Sequence, residues 1–299
     1  MKLKAWISAF RLRTLPLALS CVVVGSGISW NQNKFSWIIC ILTMTTTILL
    51  QVLSNLANDY GDSAKGTDND DRLGPTRAIQ SGIIKPKQMM RGIIICSLLA
   101  LGSGIWLLLV SLDLNWAFLG MLTVGLLGIV AAIKYTMGKT AYGYRGLGDL
   151  FVFLFFGIVG VMGSIYLQTK NFNSFDLIPA ASVGFLSAGV LNLNNLRDYK
   201  NDAASNKNTL VVLIGFKSAK IYHLSITVLP VALLGVYSWL TQANPLTLFL
   251  IVPLAILIFA FIRIMKQTEE QKLDPELKRL ALTTFLTSIL FTISLCVIL

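Results

Sequence analysis

The chain has 299 residues, of which 55% are hydrophobic and only 13% are charged, and its mean hydropathy is +0.71. This balance excludes a soluble globular domain and predicts an integral membrane protein. The formal net charge of +11 does not favour a nucleic-acid-binding protein, because the cations are spread over short loops and no soluble domain presents them. We therefore expect contact with membrane lipid and none with nucleic acid.

Apolar runs long enough to cross about 30 Å of hydrocarbon predict nine membrane helices within a single domain, residues 1–299. The predicted helices cover residues 15–31, 36–57, 91–111, 116–134, 147–168, 176–196, 220–240, 246–265 and 279–299. The fold class is therefore an all-α integral membrane bundle. The first run follows a basic segment without a small-residue cleavage site, so we interpret it as a retained helix and not a signal peptide.

The distribution of Lys and Arg predicts the orientation. Nine crossings place every Lys and Arg except Lys34 and Lys170 on one face. By the positive-inside rule this face is cytoplasmic, with the N-terminus inside and the C-terminus outside. The two long polar loops, residues 58–90 and 197–219, lie on the same face, and we expect function to reside there.

Cysteine and histidine provide no predicted chemistry. Cys21, Cys40, Cys96 and Cys296 fall within predicted helices, without the spacing of a zinc site or a disulfide framework. His223, the single histidine, lies near the start of the seventh predicted helix, and we interpret it as an interfacial or packing residue.

Two clusters of Asn and Asp lie at the ends of apolar stretches, where carboxylates are costly and need a reason. The clusters are Asn55, Asp59 and Asp62, and Asn194, Asp198 and Asp202. Spacings of three and four residues place each cluster on one helical face. Helix capping is the simpler alternative, but a matching pair on one membrane face favours a function. Because such oxygens suit Mg²⁺, which substrate phosphates complete, we predict all six as metal ligands and the four aspartates as catalytic.

Such a site fits a lipid-soluble pyrophosphate ester of an allylic alcohol, which ionises to a carbocation once its leaving group is neutralised. The nearby cations predicted to bind phosphate oxygens are Arg72, Arg77, Lys139 and Lys207. Three further acids fit a metal role and a solvated loop equally well, namely Asp68, Asp70 and Asp71.

Four stretches of the chain resemble the UbiA superfamily of intramembrane prenyltransferases. They are Arg11–Pro16, Asn55–Arg77, Tyr135–Asp149 and Asn194–Leu210. Asn-Asp-Tyr followed by Arg-Leu-Gly-Pro-Thr-Arg, together with Tyr-Arg-Gly-Leu-Gly-Asp, is most similar to the branch that uses 1,4-dihydroxy-2-naphthoate. These motifs favour that branch over the 4-hydroxybenzoate, haem O and chlorophyll branches.

The resemblance implies a nine-helix bundle of the UbiA type in the bacterial cytoplasmic (inner) membrane. It further implies Mg²⁺-dependent transfer of a polyprenyl chain from polyprenyl diphosphate to the naphthoate, with loss of the ring carboxylate and formation of demethylmenaquinone. Arg11 and Arg13 are candidates for binding that carboxylate, although a role as topology signals explains them equally well. Asn206 stands where the family usually has Gly, and because Asn tolerates a left-handed backbone we expect the turn before Lys207 to survive.

Aromatic residues are the remaining candidates. Tyr135, Tyr142 and Tyr144 are predicted to shield the cation or to hydrogen-bond the acceptor, with interfacial anchoring as the alternative. Arg145, within the last motif, joins the predicted substrate-binding set. Four phenylalanines fit either a chute for the prenyl tail or a lipid-facing surface, namely Phe151, Phe153, Phe155 and Phe156.

Two other classes of protein place similar residues in a membrane. A transporter of a phosphorylated metabolite would also line a cavity with acidic and basic groups, but it predicts movement without turnover. A CDP-alcohol phosphotransferase needs a single tight Asp block with Gly-Ala-Arg elements, which this sequence lacks. Within the resembled superfamily, another aromatic acceptor is the main alternative.

Overall fold

The computed structural model describes residues 2–69, 72–242 and 244–297. Within these ranges nine helices are long and apolar enough to cross a membrane, and no β-strand is present. The prediction of an all-α, nine-helix membrane bundle is confirmed. One isolated backbone bridge, between Arg145 and Asn208, joins two loops on the same side of the bundle as the Asp-rich segments.

The helices are numbered in chain order. They are α1 (Lys2–Phe10), α2 (Leu15–Asn31), α3 (Trp37–Ala64), α4 (Pro86–Ser111), α5 (Trp116–Lys134), α6 (Gly148–Val152), α7 (Gly163–Thr169), α8 (Leu177–Arg197), α9 (Tyr199–Ala204), α10 (Leu210–Ile214), α11 (Phe216–Gln242), α12 (Ile251–Lys266) and α13 (Asp274–Cys296). A π-helix, Phe153–Met162, joins α6 to α7. Short 3₁₀ turns occupy Leu12–Thr14, Tyr142–Tyr144, Ser174–Asp176, Pro245–Leu250 and Glu270–Leu273.

The basic segment before the first predicted span is itself helical. In α1, Ala5 and Ala9 are buried, and Trp6 packs with them against α3 and α4. Arg11 follows α1 with a left-handed backbone (φ 49°), which ends the helix and turns the chain into α2. This basic segment is therefore part of the bundle, because its small residues allow close packing.

The fifth predicted span is not one regular α-helix. Its centre is the π-helix, a wider form that is common at functional sites. Gly157 lies there against α8, where an added Cβ would stand 2.6 Å from the Ala180 carbonyl oxygen. Glycine thus permits the close helix contact expected of small residues in lipid.

Two groups of helices form most of the core of the described chain. In the larger, α2 packs along α13 and α8 packs along α11, with Leu186 and Phe291 fully buried between them. In the smaller, α1, α3 and α4 bury Leu53 and Met89. His223 is buried in α11 with its Nδ1 3.0 Å from Asn192 Oδ1, which agrees with the packing interpretation.

The first Asp-rich cluster lies within α3, which continues to Ala64 instead of ending near residue 57. The second cluster does not lie on one helix. α8 ends at Arg197, and Asp198, whose backbone (φ −96°, ψ 12°) departs from helical values, separates it from α9. The prediction of one unbroken helical face is wrong there, although the Asp202 amide still donates to the Asp198 carbonyl at 2.8 Å.

Both Asp-rich segments end in the same left-handed turn. Gly66 (φ 72°) and Asn206 (φ 53°) occupy equivalent positions. After each, one amide reaches back five residues: Thr67 N donates to Asp62 O at 3.0 Å and Lys207 N donates to the Asp202 carbonyl at 2.8 Å. The expectation that Asn206 preserves this turn is confirmed.

Candidate active site

A cavity of about 650 Å³ lies between the helices of the two core groups. One part of its wall is polar and contains Arg11, Arg13, Asn55, Asn58, Asp62, Arg77, Asn194 and Lys207. The rest is largely apolar and comes from α4, α5, the π-helix and α7. The cavity therefore suits a molecule with a charged head and a long apolar tail.

Asp62 is the most heavily bonded carboxylate at the polar end. It is buried and accepts hydrogen bonds from Arg77 Nη1 at 2.7 Å and from the Tyr144 hydroxyl at 2.8 Å. Lys207 Nζ lies 3.5 Å away. Three groups from different segments thus converge on one side chain of α3.

Asp59 faces away from the cavity wall and holds the loop that follows α3. Its carboxylate accepts the backbone amides of Ala78 at 3.1 Å and Ile79 at 3.4 Å. These amides come directly after Arg77, whose Nη1 also donates to the Asn58 carbonyl at 2.9 Å. Asp59 therefore positions Arg77 through the backbone.

Asn55 holds the turn between α1 and α2. Its side-chain amide donates to the Phe10 carbonyl at 3.0 Å and to Thr14 Oγ1 at 3.1 Å. The turn presents Arg11, which lines the cavity and whose buried Nη2 has no hydrogen-bond partner among the described residues. Arg13 also lines the cavity, but it is exposed.

In the second segment, Arg197 holds Asp198. Its Nε and Nη2 donate to the two carboxylate oxygens at 3.0 and 2.7 Å, and it also bonds Asn194 and Asp274. Burial raises the pKa of the Asp198 carboxyl, but these hydrogen bonds more than offset burial and leave that pKa below its usual range. Asp198 is therefore ionised and oriented.

Asp202 is held more loosely. Lys207 Nζ lies 3.7 Å from one of its oxygens, and the other oxygen is buried without a hydrogen-bond partner among the described residues. Burial raises the pKa of Asp202 to about 7, although Lys207 opposes this rise. Because Lys207 also contacts Asp62, one ammonium group joins the two Asp-rich clusters.

Asp68 lies beneath the same loop. Its side chain is fully buried, with Arg77 Nη1 at 3.0 Å and Arg72 Nε at 3.5 Å. The solvated-loop interpretation is therefore wrong for Asp68. Asp70 and Asp71 lie outside the described residues.

Most of the aromatic residues predicted for the site line the cavity, but not all of them do. Tyr135 and Tyr142 line the cavity with their ring centroids 5.4 Å apart. Three of the four phenylalanines also line it, namely Phe151, Phe155 and Phe156. Phe153 instead packs on Phe185 with 4.5 Å between ring centroids.

Three predicted phosphate-binding or substrate-binding cations are not among the residues that line this cavity. Arg72 instead contacts Asp68 and donates to the Pro75 carbonyl at 2.8 Å. Lys139 is exposed and lines a separate pocket of about 270 Å³ beside Lys65. Arg145 is also exposed. Both sit on the loop between α5 and α6, which the sequence did not position relative to the bundle.

Three polar residues of the site were not predicted from the sequence, namely Arg197, Asn201 and Asp274. Arg197 lies inside the second motif and is almost completely buried, and a lone arginine at the end of an apolar span was the available signal. Asn201 and Asp274 carry no such signal, because their partners are distant in sequence.

The oxygen donors of the two segments determine whether the site can hold a divalent cation. Across the described residues, no three Asp, Glu, His or Cys side chains stand close enough together to hold a metal ion. Arginine, lysine or backbone amides engage the acidic groups instead. The chemistry nevertheless fits Mg²⁺, because the donors are oxygens only, Asp202 has a free buried oxygen, and Asp62 and Asp202 flank one ammonium.

Comparison with known proteins identifies the family. The UbiA prenyltransferase family matches residues 18–289. The 1,4-dihydroxy-2-naphthoate octaprenyltransferase of Escherichia coli (strain K12) is 38% identical, covering 98% of this chain and 95% of that protein. The protein of the same name from Haemophilus influenzae is 40% identical, covering 99% and 97%.

Solved structures agree on the fold. A UbiA homologue from Aeropyrum pernix K1 aligns with a TM-score of 0.66 at 16% identity, over 92% of this chain and 98% of its own. One from Archaeoglobus fulgidus, bound to DMAPP and Mg²⁺, aligns with a TM-score of 0.64 at 14% identity, over 96% and 99%. This chain therefore belongs to the UbiA prenyltransferase family and is a multi-pass membrane enzyme that transfers prenyl groups.

Proposed function

We propose that this enzyme transfers a polyprenyl group from polyprenyl diphosphate to 1,4-dihydroxy-2-naphthoate, with release of pyrophosphate and CO₂ and formation of the reduced (quinol) form of demethylmenaquinone. The observation that carries the proposal is the cavity of about 650 Å³, in which charged groups of both Asp-rich segments meet a long apolar wall. The names of relatives that are 38 and 40% identical over nearly their full lengths support the naphthoate as acceptor.

The diphosphate would bind at the polar end. Mg²⁺ would be held by Asp62, Asp198 and Asp202 with Asn194, and when bound it neutralises the leaving group. Arg77 and Lys207 line the cavity and both contact Asp62. They would bind the phosphate oxygens, Arg77 through its planar fork and Lys207 as a point charge. Asn55 and Asp59 already bond backbone groups or a neighbouring side chain. Their direct binding of metal stays a prediction.

Two cavity tyrosines would protect the allylic cation from water. Tyr142 stacks on Phe151 with ring centroids 4.0 Å apart, and its hydroxyl donates to the Ala131 carbonyl at 2.9 Å. With its hydroxyl engaged, Tyr142 would contribute its ring, and Tyr135 lies edge-on beside it. The three cavity phenylalanines continue this wall and would contact the prenyl tail.

We assign the acceptor carboxylate to Arg11 in preference to Arg13. Arg11 lines the cavity, its Nη2 has no partner among the described residues, and the Asn55 clamp fixes its turn. Holding the electron-rich naphthoate against the cation is most of what this enzyme must do. As the C–C bond forms, the carboxylate leaves as CO₂ and its bonding electrons stay on the ring.

The decisive assay uses purified protein, Mg²⁺, octaprenyl diphosphate and a panel of aromatic acceptors, with products identified by mass. We expect turnover with carboxyl-labelled dihydroxynaphthoate and release of labelled CO₂ in step with prenylation. EDTA should abolish turnover, and added Mg²⁺ should restore it. Retention of the label, or preference for 4-hydroxybenzoate, would refute the naphthoate assignment, and movement of substrate without turnover would favour a transporter.

We also propose that the enzyme resides in the bacterial cytoplasmic membrane, with its N-terminus and Asp-rich loops in the cytoplasm. The support is the positive-inside distribution of Lys and Arg. Reporter tags within residues 58–90, 197–219 and 266–278 should be cytoplasmic, and tags near 113 and 242 should be external. An external Asp-rich loop would invert this orientation.

A further inference from the structure

Tyr144 is hydrogen-bonded to two residues of the first Asp-rich segment, one of which also contacts the second segment. The Tyr144 hydroxyl lies 2.8 Å from Asp62 Oδ1 and 2.6 Å from Thr67 Oγ1. The Thr67 carbonyl accepts the side-chain amide of Asn201 at 3.0 Å. Asn201 lies in α9, one residue before Asp202, and so belongs to the second segment.

The direction of each bond follows from the donors available. An ionised Asp62 carboxylate can only accept hydrogen bonds, so the Tyr144 hydroxyl must donate its single hydrogen to that carboxylate. The Thr67 hydroxyl must then donate to the Tyr144 oxygen. Because each hydroxyl has one hydrogen, the order Thr67 to Tyr144 to Asp62 fixes the orientation of the carboxylate.

Two ammonium groups further restrain the ring. Lys65 Nζ stands 3.7 Å from the centroid of the Tyr144 ring, and Lys207 Nζ stands 5.5 Å from it. Both distances lie within the range of cation–π attraction. Next to Tyr144, the backbone bridge between Arg145 and Asn208 joins the loop that carries Tyr144 to the loop that follows α9.

We infer that Tyr144 is a positioning residue, which orients Asp62 toward the second Asp-rich segment and sets the spacing of the metal-binding carboxylates. This inference rests on the proposed function. It differs from the sequence-based expectation for Tyr144, because this tyrosine is absent from the cavity wall that Tyr135 and Tyr142 line. Tyr144 therefore acts through Asp62 and not on the substrate.

The test is Tyr144→Phe, which keeps the ring and removes the hydroxyl. Binding of Mn²⁺ in the presence of inorganic pyrophosphate is followed by electron paramagnetic resonance. Loss of one hydrogen bond to a charged acceptor should raise the half-saturating Mn²⁺ concentration about tenfold. The apparent KM for Mg²⁺ in prenyl transfer should rise in parallel.

A matched control separates positioning from stability. Tyr237→Phe removes another tyrosine-to-carboxylate hydrogen bond, 2.6 Å to Asp176, outside the cavity wall and the Asp-rich segments. We expect it to lower the unfolding temperature and leave Mn²⁺ binding unchanged. If Tyr144→Phe behaves in the same way, with wild-type Mn²⁺ binding, the inference is overturned.

A second variant covers the case in which Tyr144→Phe does not fold. Thr67→Val preserves shape but removes the donor to Tyr144, and should raise the half-saturating Mn²⁺ concentration about threefold. No change in that variant would overturn the inference. Failure of the wild-type enzyme to prenylate any acceptor would instead refute the proposed function, and the Mn²⁺ measurement does not depend on it.

Discussion

In the first Asp-rich segment, Asp62 is bonded by Arg77, Tyr144 and Lys207, which come from three different loops. In the second, Asp198 is bonded by its direct neighbour Arg197. The first segment therefore depends on the folding of several loops, whereas the second orients its carboxylate almost locally. Two similar motifs thus hold their carboxylates by different kinds of contact.

The left-handed turns reveal a second difference. Both segments contain an Asp-Tyr pair, and aligning these pairs relates Asp59 to Asp198, 139 residues apart. The turns instead relate Gly66 to Asn206 and Asp62 to Asp202, both 140 residues apart. In this register Asn58, which lines the cavity, corresponds to Asp198. Asp59 is displaced to the loop side, where it accepts two backbone amides.

The largest expected effect is that of Asp62→Ala. It leaves Arg77 and Lys207 without the carboxylate that they share, and it removes a proposed metal ligand. We expect kcat/KM for prenyl transfer to fall at least about 1,000-fold, as for loss of a principal electrostatic group. Asp176→Asn, on a buried aspartate outside the cavity, is the control and should retain most activity.

A comparison of Asp198→Asn with Asp59→Asn tests whether these two aspartates have different roles. Asp198→Asn should reduce kcat/KM about 100-fold with little change in unfolding temperature. Asp59→Asn keeps one oxygen to accept a backbone amide, so its loss of activity should be smaller, accompanied by a lower unfolding temperature in detergent. Equal losses of activity would restore Asp59 as a direct metal ligand and remove the distinction between the segments.

The sequence predicted the bundle well because hydropathy reports directly on membrane crossing. Both clusters and the turn at Asn206 followed from local spacing and backbone preference. The partners of the carboxylates did not, since the contact of Arg77 with Asp62 or of Asn201 with Thr67 depends on loop packing. The π-helix was not predicted either, because the hydropathy of an apolar run such as 147–168 does not distinguish an α-helix from a π-helix.

The role of Arg197 gives a third prediction. Arg197→Lys keeps the charge but cannot donate to both Asp198 oxygens in a planar fork while also reaching Asp274. We expect about a tenfold loss in kcat/KM and a lower unfolding temperature. The control Arg263→Lys changes the partly exposed partner of Glu276, outside the cavity wall, and should leave activity near wild type. Unchanged activity in Arg197→Lys would mean that Asp198 needs charge but no fixed geometry.

The smallest expected effect concerns the shared turn. Gly66 has space around an added Cβ, so Gly66→Ala tests its left-handed backbone alone, at a cost of about 1 kcal/mol. Gly66→Asn should lower the stability by only about a few tenths of a kcal/mol, since Asn tolerates this conformation. Asn206 adopts it in the second segment. Gly102→Ala, also with open space but in the regular helix α4, should be neutral or stabilising. Unfolding temperatures in detergent measure all three, and equal values for Gly66→Ala and Gly66→Asn would contradict a common left-handed turn in the two segments.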